Sequence, residues 1–245
     1  HRMLMKGNSS LKPGKWRTHE EPMQVVSGAM GKEIIHYEAP PSKRVPKEMD
    51  QFISWFNSTG KNGDREIKKP VIRAAIAHLY FESIHPFEDG NGRIGRAIAE
   101  KALSQSVRRP ILLSLSDAME SKKNDYYKAL KFAQRSNEIT SWLNYFVRTT
   151  IQAQISAEKL IEFSLYKTRF FDRFKNELNE RQIKVIRRIL KEGPGGFEGG
   201  INAKKYISIT KTSKATATRD LQVLQEKKII SKKGQGRSTA YILNL

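Results

Sequence analysis

The first sustained pattern of apolar positions begins behind Pro46 and has helical spacing. Proline is favoured in the first turn of a helix, where its missing N–H would have no helical partner. The apolar residues that follow at i, i+3, i+4 and i+7 are Met49, Phe52, Ile53 and Phe56. Because positions three and four apart share one helix face, we predict an amphipathic helix.

Helical periodicity continues through most of the chain up to residue 178. Pro70 opens a second run that has apolar residues on one face. After the first helix, helices are predicted over 70–83, 92–106, 126–134 and 139–178. Residues 1–175 are therefore predicted to form a mainly α-helical domain, with its helical core over residues 45–175.

The segment before the first helix has a different pattern. Residues 1–44 are rich in Gly, Pro and Ser, and they contain two short β-like runs, 23–26 and 33–37. Glycines separate the two runs, and a Pro40–Pro41 turn follows the second. We therefore predict a small β-hairpin in this N-terminal segment.

The pattern changes again near residue 178. A helix over 178–191 stops at Gly193–Gly196, a cluster of strong helix breakers. The shorter elements that follow are helices over 203–206 and 214–227 and β-like runs at 229–230 and 239–243. This order of helices and a two-strand wing is typical of a winged helix-turn-helix domain, which we predict over residues 176–245.

Composition narrows the class of protein. The 245 residues include 38% hydrophobic and 9% aromatic side chains, which is enough for a packed core. A membrane span needs about 18 to 20 uninterrupted apolar residues, and the chain contains neither such a run nor a signal-peptide pattern, so we expect a cytoplasmic protein without a membrane partner. The absence of cysteine excludes disulfides, thiolate catalysis and cysteine-based zinc sites. The net charge of +20 favours a polyanionic partner: nucleotide, nucleic acid or acidic protein.

The segment His85–Arg96, HPFEDGNGRIGR, contains the parts of a phosphate site where two predicted helices meet. The turn Gly90, Asn91, Gly92 can direct successive backbone N–H groups at an anion. The positive end of the following helix strengthens that attraction. Arg93 and Arg96 share a helix face and can clamp phosphate, so the whole segment is a candidate phosphate site.

Two side chains of the segment suit group transfer. Asp89 can hold Mg²⁺, because this ion keeps most of its waters and needs only one or two carboxylates beside phosphate oxygens. His85, with an ordinary imidazole pKa of about 6.5, can take a proton from an attacking hydroxyl near neutral pH. Phe87 is predicted to anchor the loop in the core.

Other interpretations of the segment explain less of it. An isolated Asn-Gly pair is more often a hairpin turn, but here it is accompanied by His85, Asp89 and two arginines. An EF-hand loop is rejected because Arg93 and Ile94 occupy a ligand position and the required glycine position. The chain has no P-loop signature. His78 lies on a helix rich in Ala and Ile, so we predict that it is a packing residue.

The segment resembles the signature of the Fic family, H-x-F-x-[DE]-G-N-G-R-x-x-R. Every specified position is matched, by His85, Phe87, Asp89, Gly90, Asn91, Gly92, Arg93 and Arg96. The resemblance implies a nucleotidyltransferase that moves AMP from ATP to a Ser, Thr or Tyr of a target protein, with His85 as general base. It also implies that Asp89 binds Mg²⁺, while the glycine turn and both arginines hold the triphosphate.

The resemblance extends to both sides of the segment. Upstream, Arg17 and the stretch 36–42 look like the flap on which the family docks its target. The flap residues predicted from it are His36, Tyr37 and Glu38. Downstream, many bacterial Fic proteins carry a winged helix similar to the predicted one.

The predicted winged helix raises a second function, DNA binding. Residues 176–245 carry 15 Lys and Arg against 6 Asp and Glu. The helix 214–227 would enter a groove, and the turn 232–237 would be the wing on phosphates. The candidate contacts are Lys214, Thr216, Thr218, Arg219, Lys232, Lys233 and Arg237. Winged helices also dock proteins, and basic residues are often only solvated, so both interpretations stay open.

Two alternatives to adenylyl transfer stay open. The chain could be a DNA-binding regulator with an accessory Fic domain, or a Fic enzyme that transfers UMP or phosphocholine. The target protein and the oligomeric state, a homodimer included, cannot be read from the residues.

The inhibitory motif of the family, [ST]-x-x-x-E-[GN], has no match. Its glutamate pairs with the second motif arginine, which corresponds to Arg96. Ser116 and Glu120 have the required spacing, but Ser121 follows them. We therefore expect the inhibitory helix to lie in an upstream portion or on a separate chain.

Overall fold

The computed structural model describes residues 1–7, 12–27 and 34–244, and helices dominate it. The helices are α1 (Val45–Ser58), α2 (Pro70–Ile84), α3 (Asn91–Val107), α4 (Leu115–Glu120), α5 (Lys123–Ala133), α6 (Thr140–Phe174), α7 (Glu180–Lys191), α8 (Ala203–Thr210) and α9 (Lys214–Glu226). The strands are β1 (Gln24–Ser27), β2 (Ile34–Glu38), β3 (Ile230–Lys233) and β4 (Ala240–Leu243). Within these ranges, no helix combines the length and the apolar character needed to cross a bilayer.

The predicted helices are confirmed, and the differences have local causes. α4 is absent from the prediction because six residues are too few to show a helical period. Ser114 caps it by accepting a hydrogen bond from the N–H of Asp117 at 3.1 Å. α8 continues to Thr210, beyond its predicted end. Ile53, one of the four apolar positions of the pattern, is 47% exposed, so the buried face of α1 is narrower than the apolar spacing.

The predicted N-terminal hairpin is present as two antiparallel strands. β1 and β2 pair from Gln24 opposite Glu38 to Ser27 opposite Ile34, with an irregularity after Val25. Residues 28–33, between the two strands, lie outside the described residues. The hairpin therefore precedes α1 as expected.

The second hairpin is longer than its predicted strands. β3 and β4 pair from Ile230 opposite Leu243 to Lys233 opposite Ala240. Lys232 and Lys233 are predicted in the connecting turn, and this is wrong, because strand pairing continues through both residues.

Contacts divide the chain into two compact units, 1–156 and 157–245. The division falls inside α6, earlier than the domain boundary predicted after residue 175. Phe163 and Phe170 account for the difference, because both are buried in the hydrophobic core of the second unit. Helical periodicity does not show where a continuous helix changes the core against which it packs.

α2 is central to the first unit because most of its faces are buried. Ala74 and Ala77 are fully buried, and α2 packs extensively against α3, which presents a buried glycine, Gly95. Trp142 of α6 donates a hydrogen bond from Nε1 to the carbonyl of Ala75 at 2.8 Å. This packing fixes the ends of α2 and α3, between which the conspicuous polar segment lies.

The second unit has a core of its own, with a buried carboxylate beside it. Asp220 of α9 accepts hydrogen bonds from Arg181 Nε and from the hydroxyl of Tyr206, each at 2.9 Å. Asn179 Nδ2 donates to it at 3.1 Å. Burial raises the pKa of Asp220, but the hydrogen bonds outweigh burial and lower it overall. This carboxylate thus joins the middle of α9 to the start of α7 and to α8.

Candidate active site

His85 caps the C-terminus of α2 in an uncommon backbone conformation. Its φ of 50° and ψ of 58° lie in the left-handed region, and its N–H donates to the carbonyl of Phe81 at 3.0 Å. A non-glycine residue in this region costs about 1–3 kcal/mol and persists where the surrounding contacts hold it. The contacts at the end of α2 therefore decide where the imidazole stands.

Arg17 and Tyr37 supply those contacts. The last carbonyls of a helix have no helical donor. The hydroxyl of Tyr37 donates to the carbonyl of Ser83 at 2.7 Å. Arg17, which is 1% exposed, donates to the carbonyls of Ile84 at 3.2 Å and His85 at 2.8 Å. The end of α2 is thus held by residues from the N-terminal segment.

The predicted flap residues lie on β2 but differ in their surroundings. Tyr37 lines a cleft beside His85, and burial raises the pKa of its hydroxyl. Glu38 is exposed and accepts a hydrogen bond from Gln24 Nε2 at 3.0 Å. The backbone of His36 belongs to β2, while its side chain lies outside the described part of the chain. Target docking by these residues stays a prediction.

The loop between α2 and α3 is closed by the carboxamide of Asn91. Its Oδ1 accepts from the N–H of Phe87 at 2.9 Å, and its Nδ2 donates to the carbonyl of Phe87 at 2.7 Å. Both side chains are buried, and the phenyl ring anchors the loop in the core as predicted. The side chain of Asn91 therefore shapes the loop, and its backbone N–H is the group left for the predicted anion site.

Asp89, Gly90 and Arg93 form the entry to α3. Gly90 caps the helix with a φ of 82°, a conformation that favours glycine. Its N–H donates to Asp89 Oδ1 at 2.6 Å, and Arg93 Nη2 lies 3.1 Å from Asp89 Oδ2. The first N–H groups of α3, Gly92 included, have no acceptor within the helix, so its positive end is available to an anion. A carboxylate and an anion site therefore lie side by side.

Arg96 lines the same cleft as His85. Its Nε donates to the hydroxyl of Ser116 in α4 at 2.9 Å. Glu120, the other residue with the spacing of the inhibitory motif, pairs with Lys123 at 3.2 Å. This pair of residues therefore provides a hydroxyl for Arg96 but no carboxylate.

Burial is the largest influence on the imidazole of His85. It lowers the pKa of His85 to about 4, opposed by the main chain of Glu82 and by the charge of Asp89, and reinforced by Arg17. Nδ1 is buried and makes no hydrogen bond of good geometry among the described residues, although the main chain of Glu82 is close enough to influence the pKa. His85 is therefore neutral at pH 7, as a general base must be, with Nε2 as the nitrogen left for a substrate.

One acidic residue of the cleft, Glu82, is not part of the recognised segment. It lies one turn before His85 in α2 and is 4% exposed. Its Oε2 is 3.7 Å from Nδ1 of His85. Burial raises the pKa of Glu82 to about 7, although the charge of Arg96 opposes this. The sequence signal that could have found it is an acid in an apolar helix, three residues before a candidate base.

His78 is a packing residue, as predicted. It is fully buried, and its ring stacks on Trp142 with centroids 5.7 Å apart. Its Nε2 lies 3.1 Å from the hydroxyl of Tyr126. Burial lowers the pKa of His78 to about 4, so this ring is neutral at pH 7.

The residues present fit a magnesium ion that arrives with a triphosphate. Within the described ranges, no three His, Asp or Glu side chains converge on a metal site. Magnesium on a triphosphate needs only one or two carboxylates beside phosphate oxygens and water. The carboxylate of Asp89 is 57% exposed at the start of α3, so Asp89 is the group that could hold the ion.

The candidate DNA contacts of the second unit lie on one helix and one hairpin. Lys214, Thr216, Thr218 and Arg219 are on α9, Lys232 and Lys233 on β3, and Arg237 follows at 236–238 with its side chain outside the described part. The two lysines of β3, Lys214 and Arg219 are exposed. None of these four has an ion-pair partner among the described residues.

Residues 1–103 match the Fic/DOC family. This range contains the N-terminal hairpin, α1, α2 and the whole of His85–Arg96, and it ends within α3. The class of protein that this fold and site resemble is therefore the Fic protein, over the first unit of the chain.

Relatives carry a more specific name. The protein adenylyltransferase Fic of Nematostella vectensis is 25% identical over 154 residues, which is 62% of this chain and 34% of the relative. The protein adenylyltransferase fic-1 of Caenorhabditis briggsae is 26% identical over 162 residues, 65% of this chain and 28% of the relative. The chain thus spans about a third or less of the length of these relatives.

A solved structure supports the fold. The crystal structure of a Fic family protein from Desulfovibrio desulfuricans G20 is similar over 100% of this chain and 66% of that chain, with a TM-score of 0.52. The two sequences are 23% identical. At that identity the likeness shows the fold alone.

Proposed function

We propose that this chain is a protein adenylyltransferase, which transfers AMP from Mg-ATP to a Ser, Thr or Tyr hydroxyl of a target protein. The observation that carries the proposal is the junction of α2 and α3. A neutral imidazole, that of His85, shares a cleft with Gly92 and Arg96 at the positive end of α3. The name of the relatives, protein adenylyltransferase, supports the same chemistry.

His85 acts on the attacking hydroxyl. The hydroxyl oxygen forms a bond to the α-phosphorus of ATP, and the bond from that phosphorus to the oxygen of the β-phosphate breaks, so that pyrophosphate leaves. The proton of the hydroxyl passes to the unprotonated Nε2 of His85. Arg17 and Tyr37 hold the last turn of α2, so the base keeps its position during the reaction.

The start of α3 binds the negative charge of the triphosphate. Its free N–H groups and positive end attract phosphate oxygens. Arg93 and Arg96 add two cations, and each would exchange its present partner, Asp89 or Ser116, for phosphate. Asp89 would hold Mg²⁺, which supplies neutralisation of phosphate charge when bound.

Transfer of a labelled adenylyl group tests the proposal. The purified chain is incubated with Mg-ATP labelled at the α-phosphate, alone and with cell extract, and modified peptides are identified by mass spectrometry. We expect the mass of one adenylyl group on a hydroxyl of the chain or of a partner. ATP labelled at the γ-phosphate is the matched control and must leave no label. Bound nucleotide without transfer in any mixture would contradict the proposal.

The transferred group is tested in the same assay. UTP and CDP-choline replace ATP in parallel reactions, because the motif residues contact phosphate and do not read the nucleobase. We expect ATP to be the preferred donor. If modification is faster with UTP or CDP-choline, His85 would still be the proposed base, but the transferred group would be UMP or phosphocholine.

Duplex DNA binding by residues 176–245 is the second candidate function. The order α7, α8, α9 and the β3–β4 hairpin supports the predicted winged helix. Exposed and unpaired cations on α9 and β3 are the observation that favours DNA. Phosphate contacts release counterions, so we expect affinity for duplex DNA to fall steeply with salt. Micromolar binding to a protein without DNA binding at low salt would indicate a docking module.

A further inference from the structure

Three titratable side chains are spaced i, i+4 and i+7 at the end of α2: His78 and Glu82 lie within the helix, and His85 is its C-cap. Two of them meet α3 at Gly95, where an added Cβ would lie 2.5 Å from Glu82 Oε1 and 3.2 Å from the ring of His78. The glycine therefore leaves space for the carboxylate of Glu82. The family signature specifies a residue neither at position 82 nor at position 95.

The carboxylate of Glu82 is poorly satisfied for a buried group. Its Oε1 has no hydrogen-bond partner among the described residues. Among the described residues, His85 is the one basic side chain within 4.0 Å of the carboxylate oxygens of Glu82. Burying an unpaired carboxylate destabilises a fold, and such groups are typical of functional sites. Nδ1 of His85, which lies 3.7 Å from the other carboxylate oxygen, Oε2, also has no hydrogen-bond partner among the described residues.

We propose that Glu82 is a positioning residue for His85: its carboxylate accepts a hydrogen bond from Nδ1–H of the imidazole and leaves Nε2 free to act as the base. When Nε2 takes the hydroxyl proton, the nearby carboxylate stabilises the imidazolium that forms, as the acid of a catalytic triad does. The kinetic part of this inference rests on the proposed adenylyl transfer. The tautomer of His85 does not depend on it.

The other groups around Glu82 set the pH at which it acts. The cleft that Glu82 lines also contains His85, Arg96 of α3, Tyr37 of β2, and Tyr126, Tyr127 and Lys131 of α5, and His78 lies beside Glu82 at Gly95. His78 and His85 are neutral at pH 7, and Arg96 favours the charged carboxylate. With its pKa raised to about 7, Glu82 is ionised above neutral pH and protonated below it. We therefore expect the transfer rate to rise as pH increases through about 7.

Imidazole ¹⁵N NMR of the full chain tests the positioning directly. The signals of His85 are assigned by their loss in His85→Gln. In the wild type at pH 8 we expect the Nδ1–H tautomer. In Glu82→Leu we expect a mixture of tautomers, and in Glu82→Gln, whose amide oxygen can still accept, the wild-type tautomer. The wild-type tautomer in Glu82→Leu would overturn the proposal, because the main-chain carbonyl of Glu82 would then suffice.

Kinetics separates a positioning role from a structural one. Glu82→Gln should lower kcat for adenylyl transfer about 10- to 100-fold while KM for ATP changes less than about 3-fold, and its rate should no longer rise near pH 7. Gly95→Ala, which displaces the carboxylate without changing any charge, should lower kcat in the same direction. Asp50→Asn, which changes an exposed acid on α1, is the matched control and should behave as wild type.

The outcomes are distinguishable from failure of the proposed function. If the wild type transfers no group to any protein, the adenylyltransferase proposal fails, and the NMR experiment still decides the role of Glu82. If the wild type is active and Glu82→Gln has the same kcat and the same pH profile, Glu82 does not position the base. Thermal unfolding of each variant shows whether it is folded, and Glu82→Gln is nearly isosteric should Glu82→Leu fail to fold.

Discussion

The end of α2 and the basic surface of the second unit use polar groups in opposite ways. Around His85, the side chains of Arg17 and Asn91 are buried and hydrogen-bonded to defined partners, and Glu82 is buried with one carboxylate oxygen unpartnered among the described residues. On α9 and β3 the cations Arg219 and Lys232 are exposed and have no ion-pair partner among the described residues. Fixed distances between buried groups define a particular chemistry, whereas free surface cations define only a class of partner, a polyanion.

The largest expected effect belongs to the buried base. His85→Ala should lower adenylyl transfer by about 10²- to 10⁴-fold, because the proton of the attacking hydroxyl loses its acceptor. Binding of Mg-ATP, measured by calorimetry, should change little. His19→Ala, a histidine outside the cleft, is the control and should transfer at the wild-type rate. Transfer at the wild-type rate by His85→Ala would show that His85 is not the general base.

The next largest effect is expected on stability, at the buried polar groups of the second unit. Asp220→Ala removes the acceptor for Arg181, Tyr206 and Asn179 and should lower the free energy of unfolding of that unit by about 2–4 kcal/mol. Because the pKa of Asp220 is lowered in the folded state, its contribution is present above the unfolded pKa and is lost as pH falls through the folded pKa.

Denaturant unfolding of Asp220→Ala at several pH values measures this contribution. The difference from wild type should shrink in acid. Glu226→Ala changes an exposed acid on the same helix and should have little effect. An equal loss of stability in the two variants, or a difference that does not depend on pH, would contradict the expectation.

A smaller effect is expected for the loop before α3. Asn91→Ala leaves the main-chain N–H and carbonyl of Phe87 without their partner and should lower stability by about 2 kcal/mol. Hydrogen exchange at the amide of Phe87 should accelerate. Asn57→Ala, an exposed asparagine on α1, is the control. Unchanged exchange at Phe87 would mean that the carboxamide does not close the loop.

The smallest effects belong to the exposed cations. If the second unit binds duplex DNA, Lys232→Ala and Lys233→Ala should each reduce the slope of log affinity against log salt by about 1, with no change in thermal stability. Lys191→Ala, on α7, should leave the slope unchanged. Loss of affinity without a change in slope would show that these lysines do not contact phosphate.

The sequence predicts much of the local structure because its signals are local. Apolar spacing places α1, α2 and α9 close to their observed bounds. Short elements are not predicted from apolar spacing, because they contain fewer than the two or three helical turns that show a period. α4 and the extension of α8 are examples. Lys232 and Lys233 are misplaced because a strand is defined by the partner with which it pairs.

The sequence by itself determined which residues could perform the chemistry, since His85, Asp89, Arg93 and Arg96 lie within one short segment between two helices. Only the tertiary structure decided how that segment is held. Arg17 and Tyr37 are far from His85 in the sequence, and no spacing rule predicts that they bind the last carbonyls of α2. The same holds for Glu82, whose unsatisfied carboxylate became visible through burial against α3. Helix periodicity is a property of neighbours along the chain, whereas burial and hydrogen-bond partners depend on elements that meet only when the chain folds.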